Sequence, residues 1–244
     1  MTGRLENRTA LITGANRGIG LAVAKAYAQE GAKLLLAGRS VEALQQVQAE
    51  IAAVGGNARV FAVQLEDPES VRKLAESVAA AVAQLDIFVA NAASLGARKP
   101  LIHYPLDAWI RTFRINVDAN LILLGALDPQ LRKSDSARII MLSAGVARQG
   151  KATTGSYAVS KAAVEAMVRI YAVETAGTPV RINVVNPGPT RTQMRARAAP
   201  DENPMILKTP EDIAPLFVEL GSKECQRQGE VVNADEWFAQ TSKR

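Results

Sequence analysis

The chain has 244 residues, 48% of them hydrophobic and 22% charged, which is enough to bury a sizeable core in one large domain or two small ones. No stretch reaches 18 uninterrupted apolar residues and the N-terminal MTGRLENRTA lacks the apolar run of a signal peptide, so a soluble cytoplasmic protein with no membrane partner is expected. A single cysteine, Cys225, excludes an internal disulfide and a cysteine-based metal cluster, and a single histidine, His103, argues against a histidine-centred triad. The net charge of +5 suits an anionic ligand, but the Lys and Arg residues are scattered and only 5% of residues are aromatic, so no nucleic-acid partner is expected.

Short apolar runs alternate along the chain with longer amphipathic segments. TALIT (9–13), KLLLAG (33–38), ARVFAV (58–63), DIFVAN (86–91), ARIIMLS (137–143), VRINVVNPG (180–188) and GEVVNA (229–234) are the candidate strands. Helical patterns fall at 19–30, 41–54, 68–84, 106–130, 155–176 and 210–221. Strands that are apolar on both faces and joined by helices indicate a parallel sheet covered on either side. Linker composition and internal repeats are absent, so the expectation is one α/β domain over 1–244, a doubly wound Rossmann fold of about seven parallel strands.

TGANRGIG follows the first strand directly and places Gly14, Gly18 and Gly20 where strand passes into helix. Glycines there let the backbone turn tightly and approach a pyrophosphate, whose charge faces the free amides of the helix N-terminus. The second strand ends LAGRS, so Gly38 and Arg39 stand where an NAD-binding fold usually keeps an acid for the ribose 2′-hydroxyl. Arg39 and Arg17 could flank a 2′-phosphate with planar donor forks, which makes NADP(H) the expected cofactor. No set of side chains points to a metal.

YAVSK, residues 157–161, sets Tyr157 and Lys161 four positions apart, on one face of a helix and within reach of one group. An ordinary solvated helical face carries the same spacing. A phenol of unperturbed pKa near 10 works poorly as an acid/base at neutral pH, and a lysine ammonium beside it would bring that value down.

With these residues assembled, the chain resembles the classical short-chain dehydrogenase/reductase family over almost its whole length. TGANRGIG looks like that family's cofactor turn, YAVSK like its Tyr-x-x-x-Lys pair, VANAAS like its Asn-Asn-Ala-Gly segment, and NPGPTRT like the Pro-Gly turn beneath the nicotinamide. The resemblance implies an oxidoreductase that interconverts a small-molecule carbonyl and an alcohol. It makes Tyr157 the general acid/base, sets Lys161 on the nicotinamide ribose, puts Asn116 of RINV in a water-mediated proton path, and gives a serine after strand five to the substrate carbonyl. It also brings Asn16 and Ile19 of the glycine turn, Leu65, Asn91, Ala92, Pro187, Gly188, Thr190 and Thr192 against the cofactor. A homodimer or homotetramer seamed by the segments 106–130 and 155–176 is implied, with Leu121, Leu124, Val164 and Met167 as candidates for the seam, and a short substrate lid at 191–210.

Several positions depart from the pattern. The family's substrate serine commonly stands thirteen residues before the tyrosine, which here is Ala144, preceded by Ser143. Either Ser143 takes the role or the hydroxyl is lost, with Thr153, Thr154 and Ser156 as neighbouring alternatives. Ala93 replaces a glycine beside the cofactor, Gln64 replaces an acid, and the closing Asp-Gly-Gly is missing. These departures leave open a member that binds NADP(H) with little or no turnover. Asn116, in a helical pattern, is either inward and bonded or outward and solvated.

Overall fold

Strand β1 (Thr9–Thr13) is flanked by β2 (Lys33–Gly38) on one side and β4 (Ile87–Ala90) on the other. With β3 (Asn57–Ala62), β5 (Arg138–Leu142), β6 (Arg181–Asn186) and β7 (Val231–Asn233) they form a seven-stranded sheet of order β3-β2-β1-β4-β5-β6-β7, in which every pairing is parallel. The structure is a computed structural model and describes residues 3–241. The chain runs outward from β1 to β3, returns beside β1 with β4, and continues to the other edge. The order therefore reverses between β1 and β4, and a crevice opens beyond the C-terminal ends of those strands.

Strand residues alternate between two cores. Ile12, Leu34, Leu36, Val89 and Ile140 face α1 (Gly18–Gln29), α2 (Val41–Ala53) and α8 (Pro210–Gly221). Leu11, Leu35, Phe88, Ile139 and Met141 face α3 (Pro68–Ala81), α5 (Ala119–Leu131) and α6 (Gly155–Glu174). The helix starts follow local chemistry: Ser40 and Asp67 accept from amides of the first turn, and Thr209 closes a capping box with Asp212 ahead of Pro210. No helix among the described residues is long and apolar enough to cross a membrane.

Three features differ from the sequence pattern. The segment 106–130 is not one helix: α4 (Leu106–Phe113) passes through a π-helical turn (Arg114–Asp118) into α5. Such a turn accommodates one extra residue, and apolar periodicity does not reveal it. Two further helices, α7 (Gln193–Ala198) and α9 (Ala234–Thr241), appear where none was expected. The QMRARA of α7 has no apolar stripe, whereas α9 packs Trp237 and Phe238 on the core. Finally, of the residues expected at a subunit seam, Leu124 and Val164 lie in the core, because α5 and α6 turn those positions toward the sheet. Leu121 is exposed, joined on α6 by Val159, Ile170 and Val173.

Candidate active site

All strands point the same way, so the segments following β1, β2, β4, β5 and β6 meet at one edge of the sheet. After β1, Gly14 and Gly18 hold φ of +67° and +54°, a region that residues with a β-carbon rarely enter. A β-carbon on Gly20 would lie 2.3 Å from the Gly14 carbonyl oxygen and 2.5 Å from Asn91 Nδ2. The turn is sealed from below by Asn91, whose Nδ2 donates to the carbonyls of Thr13 (2.8 Å) and Gly14 (3.1 Å). Thr13 Oγ1 in turn accepts from the amides of Asn91 (3.1 Å) and Ala92 (3.2 Å). Asn91 thus fastens β4 to the glycine turn, and its side-chain donors face the backbone.

Arg17 is the N-cap of α1 and makes no side-chain cap, which leaves the first helical amides without a local partner. The bare glycine concavity and these amides fit a pyrophosphate. Arg17 is exposed and donates through Nη1 to Gln193 Oε1 at 2.9 Å. Arg39 is exposed just beyond β2, and Asn16 stands beside Gly38. Ile19 packs on one core and Leu65 on the other.

Lys161 is buried and its Nζ donates to the Leu142 carbonyl at 2.7 Å, 5.9 Å from the centroid of the Tyr157 ring. Burial lowers the lysine to about 8. Burial also pushes the Tyr157 phenol up to about 12. The expected downward pull of Lys161 on the phenol is therefore not seen here, because the ammonium is turned to a backbone carbonyl.

Asn116 sits fully buried in the π-helical turn and faces inward. Its Oδ1 accepts from the Ser94 amide (2.7 Å), and its Nδ2 donates to the Ser94 carbonyl (3.0 Å) and to Ser160 Oγ (2.9 Å). Ser160 Oγ itself donates to the Tyr157 carbonyl at 2.8 Å. One amide thus ties the loop after β4 to the helix that carries the tyrosine. Ahead of that helix, Tyr104 wedges between the same two parts: its hydroxyl accepts from the Ala97 amide and meets Ser156 Oγ, each at 2.7 Å.

The serine after β5 bonds a carboxylate of α6. Ser143 is buried and its hydroxyl donates to Glu165 Oε1 at 2.8 Å, while Arg148 Nε holds Oε2 at 2.8 Å. Glu165 lies one helical turn beyond Lys161 and was not anticipated, since a lone Glu on a helix reads as surface. Of the alternatives, Thr154 donates to the Lys151 carbonyl (2.7 Å), Ser156 is fully buried on Tyr104, and Thr153 holds φ of +63°.

After β6, Gly188 holds φ of +64° and its amide donates to Asn186 Oδ1 at 3.2 Å. Thr190 Oγ1 lies within 3.4 Å of the Pro187 carbonyl and 3.2 Å of the Gly188 carbonyl. Thr192 caps α7 and lays its methyl group toward Gly18. The segment 191–210 is tied to itself: Thr190 bridges to Lys208, Arg191 Nε donates to the Pro204 carbonyl (2.8 Å), and Arg195 pairs with Glu202 (2.5 Å). Lys208 pairs with Asp235 of α9, so the C-terminal helix props the end of this segment where the Asp-Gly-Gly is missing.

The profile of the short chain dehydrogenase family matches residues 8–203. The chain is 39% identical over 227 residues to the uncharacterized oxidoreductase YciK of Escherichia coli K12, covering 92% of this chain and 90% of YciK. Its fold superposes with a TM-score of 0.92 on a short chain dehydrogenase of Shigella flexneri 2a in complex with NADP, at 38% identity and covering 96% of this chain and 100% of that one. A short chain dehydrogenase of Escherichia coli CFT073 in complex with NADPH gives a TM-score of 0.91 at 38% identity, covering 96% and 99%. With the family profile over residues 8–203 and relatives of this identity over nearly the whole chain, the chain belongs to the short-chain dehydrogenase family of oxidoreductases.

Proposed function

We propose that the protein interconverts a small-molecule carbonyl and a secondary alcohol with NADP(H), using Tyr157 as general acid/base. The observation that carries this reading is a half-buried phenol, pushed up to about 12 by desolvation, one helical turn from a buried lysine that bonds the C-terminal end of β5. NADP(H), when bound, supplies or accepts the hydride. In reduction Tyr157 gives its proton to the oxygen as hydride reaches the carbonyl carbon, and in oxidation it takes that proton back. Lys161 holds the ribose hydroxyls after leaving the Leu142 carbonyl, and its charge then faces the phenol and lowers its pKa. Asn116 keeps the β4 loop and α6 at fixed distance, so that donor and acceptor stay aligned.

The NADP(H) preference rests on Arg17 and Arg39, with Gly38 rather than an acid at the end of β2, and on the cofactors bound to the two similar dehydrogenases. Arg39→Asp should weaken NADPH binding strongly and leave NADH unchanged or tighter by calorimetry. Equal loss for both removes the argument. The activity itself is tested by a screen of ketones and alcohols with NADPH and NADP+, read by absorbance of the reduced nicotinamide, with Tyr157→Phe as the inactive control. Ala144 favours a second reading, a binder of NADP(H) with little turnover, which a silent screen alongside tight NADPH binding would support. The exposed apolar residues of α5 and α6 support a homodimer or homotetramer, which sedimentation at micromolar concentration checks.

A further inference from the structure

We propose that Ser94 supplies the second hydrogen bond to the substrate oxygen, the role for which Ala144 has no hydroxyl. The proposal rests on the carbonyl/alcohol reading above. As hydride arrives, negative charge grows on that oxygen, and an enzyme gains rate by aiming fixed donors at it. Tyr157 is one such donor.

Strand β5 does not provide the other. Ala144 offers a methyl group, and the Ser143 proton is bound to a buried carboxylate that Arg148 fixes from its other side. Turning Ser143 toward substrate would strip a hydrogen bond from a buried charge, a costly exchange. The remaining hydroxyls near the helix start are also committed. Thr154 donates to the Lys151 carbonyl, Ser160 to the Tyr157 carbonyl, and Ser156 is paired with Tyr104. Thr153 lines a groove of about 570 Å³ with Pro100, Leu101, Ala158 and Val159, on the flank of α6 that Tyr157 does not line.

Ser94 is different in each respect. Its amide and carbonyl are both clamped by the buried Asn116 side chain, at 2.7 and 3.0 Å. Its Oγ accepts from the Gly96 amide at 3.2 Å, which fixes the oxygen, and its own proton has no acceptor among the described residues. Gly96 holds φ of +68°, and the Ser156, Tyr104 and Thr112 oxygens lie within 2.7 Å of where its β-carbon would stand, so this loop has little freedom to move. The topology supplies the placement. β4 and β5 are adjacent and parallel, with Ala90 paired to Met141, so the loops that carry Ser94 and Ala144 leave the same edge of the sheet from neighbouring strand ends. Asn116 Nδ2 also joins the Ser94 carbonyl to Ser160 Oγ, which bonds the Tyr157 carbonyl. A hydroxyl lost from the end of β5 is thus replaced by one from the end of the adjacent strand, held by the same Asn116 that braces the tyrosine helix. Ser94 keeps its proton throughout and only lends a hydrogen bond.

The test uses the full chain with NADPH and the ketone that wild type reduces fastest. Ser94→Ala should lower kcat about 10²-fold while NADPH affinity by calorimetry stays unchanged. Adding Ala144→Ser to that variant should restore at least about a tenth of wild-type turnover, since it returns a donor to the neighbouring strand end. A loss of less than about threefold, a loss carried by NADPH affinity, or a loss that Ala144→Ser leaves in place overturns the proposal. Full activity in Tyr157→Phe, or no reduction of any ketone by wild type and Ala144→Ser alike, overturns the underlying reading instead.

Discussion

At the edge of the sheet where the strands begin, Arg8 donates to Ser136 Oγ (2.8 Å) and to the carbonyls of Ser136 (2.6 Å) and Asp86 (3.2 Å). Arg138 donates to four carbonyls, those of Ala137, Pro179, Ser222 and Lys223. Asp86 accepts from the Thr9 amide, Gln84 and Ser134. At the opposite edge, among the described residues, Lys161 has one carbonyl as its partner and the Ser94 proton has no acceptor, and desolvation pushes the Tyr157 phenol up to about 12. Both edges bury polar groups, yet the first binds nearly all of them to the chain itself, with Arg8 Nε unpaired, while the second keeps donors in reserve. Groups satisfied internally stabilise the fold, and groups left unsatisfied cost stability and await a ligand.

The sharpest separation of the two edges should come from Tyr157→Phe, expected to cut turnover by about 10³-fold or more with no loss of melting temperature. A variant that unfolds, or one that keeps its turnover, breaks the comparison. Asp86→Ala should do the reverse: it leaves Arg8 buried without its neighbouring charge and lowers stability by about 3–5 kcal/mol. Its kcat, measured well below the lowered transition, should match wild type. Chemical denaturation and initial rates on the same preparation decide both points.

Lys161 tests whether the active edge carries a cost. Burial lowers it to about 8 from the ordinary 10.5. Below pH 8 the ammonium is present in both folded and unfolded chains, and the full cost of burying it is felt. Between pH 8 and 10.5 the unfolded chain binds a proton that the folded chain has released, so stability rises with pH across that window. Cofactor-free Lys161→Met should therefore be more stable than wild type by on the order of 2 kcal/mol at pH 7, with the gap closing as pH approaches 10. A destabilised variant, or a gap constant with pH, contradicts this.

The cofactor half of the site was legible in the sequence because backbone geometry dictates residue type there. Only glycine suits the φ values of Gly14 and Gly18 and the close approach at Gly20, so TGANRGIG carries its own structural signature. The strand centres were legible for a similar reason, since both faces of β1, β2 and β4 are buried. The substrate half was not. Whether Ser143 faces substrate or Glu165 depends on a carboxylate 22 positions away, and the role of Ser94 depends on Asn116 in a π-helical turn that leaves no periodic trace. Ser94 did carry a faint signal, a hydroxyl directly after VANAA on the loop that enters the crevice.

The smallest effect is expected where the two halves of the active edge touch. Arg17 of the glycine turn donates to Gln193, the first residue of α7, and Gly18 meets the Thr192 methyl group, so the segment 191–210 rests on the glycine turn through one exposed hydrogen bond and one small apolar contact. An exposed polar contact of this kind contributes about 0–1 kcal/mol, which limits its effect on the docking of that segment to about fivefold. The rest of the segment is tied to itself by Arg191, Arg195 and Glu202 and should survive the loss as a unit. Gln193→Ala should then leave the melting temperature and kcat unchanged while trypsin cleaves after the exposed Arg197 up to about fivefold faster in the absence of cofactor. A cleavage rate equal to wild type would show that the segment 191–210 does not lean on Arg17, and a large fall in melting temperature would show that Gln193 supports more than that segment.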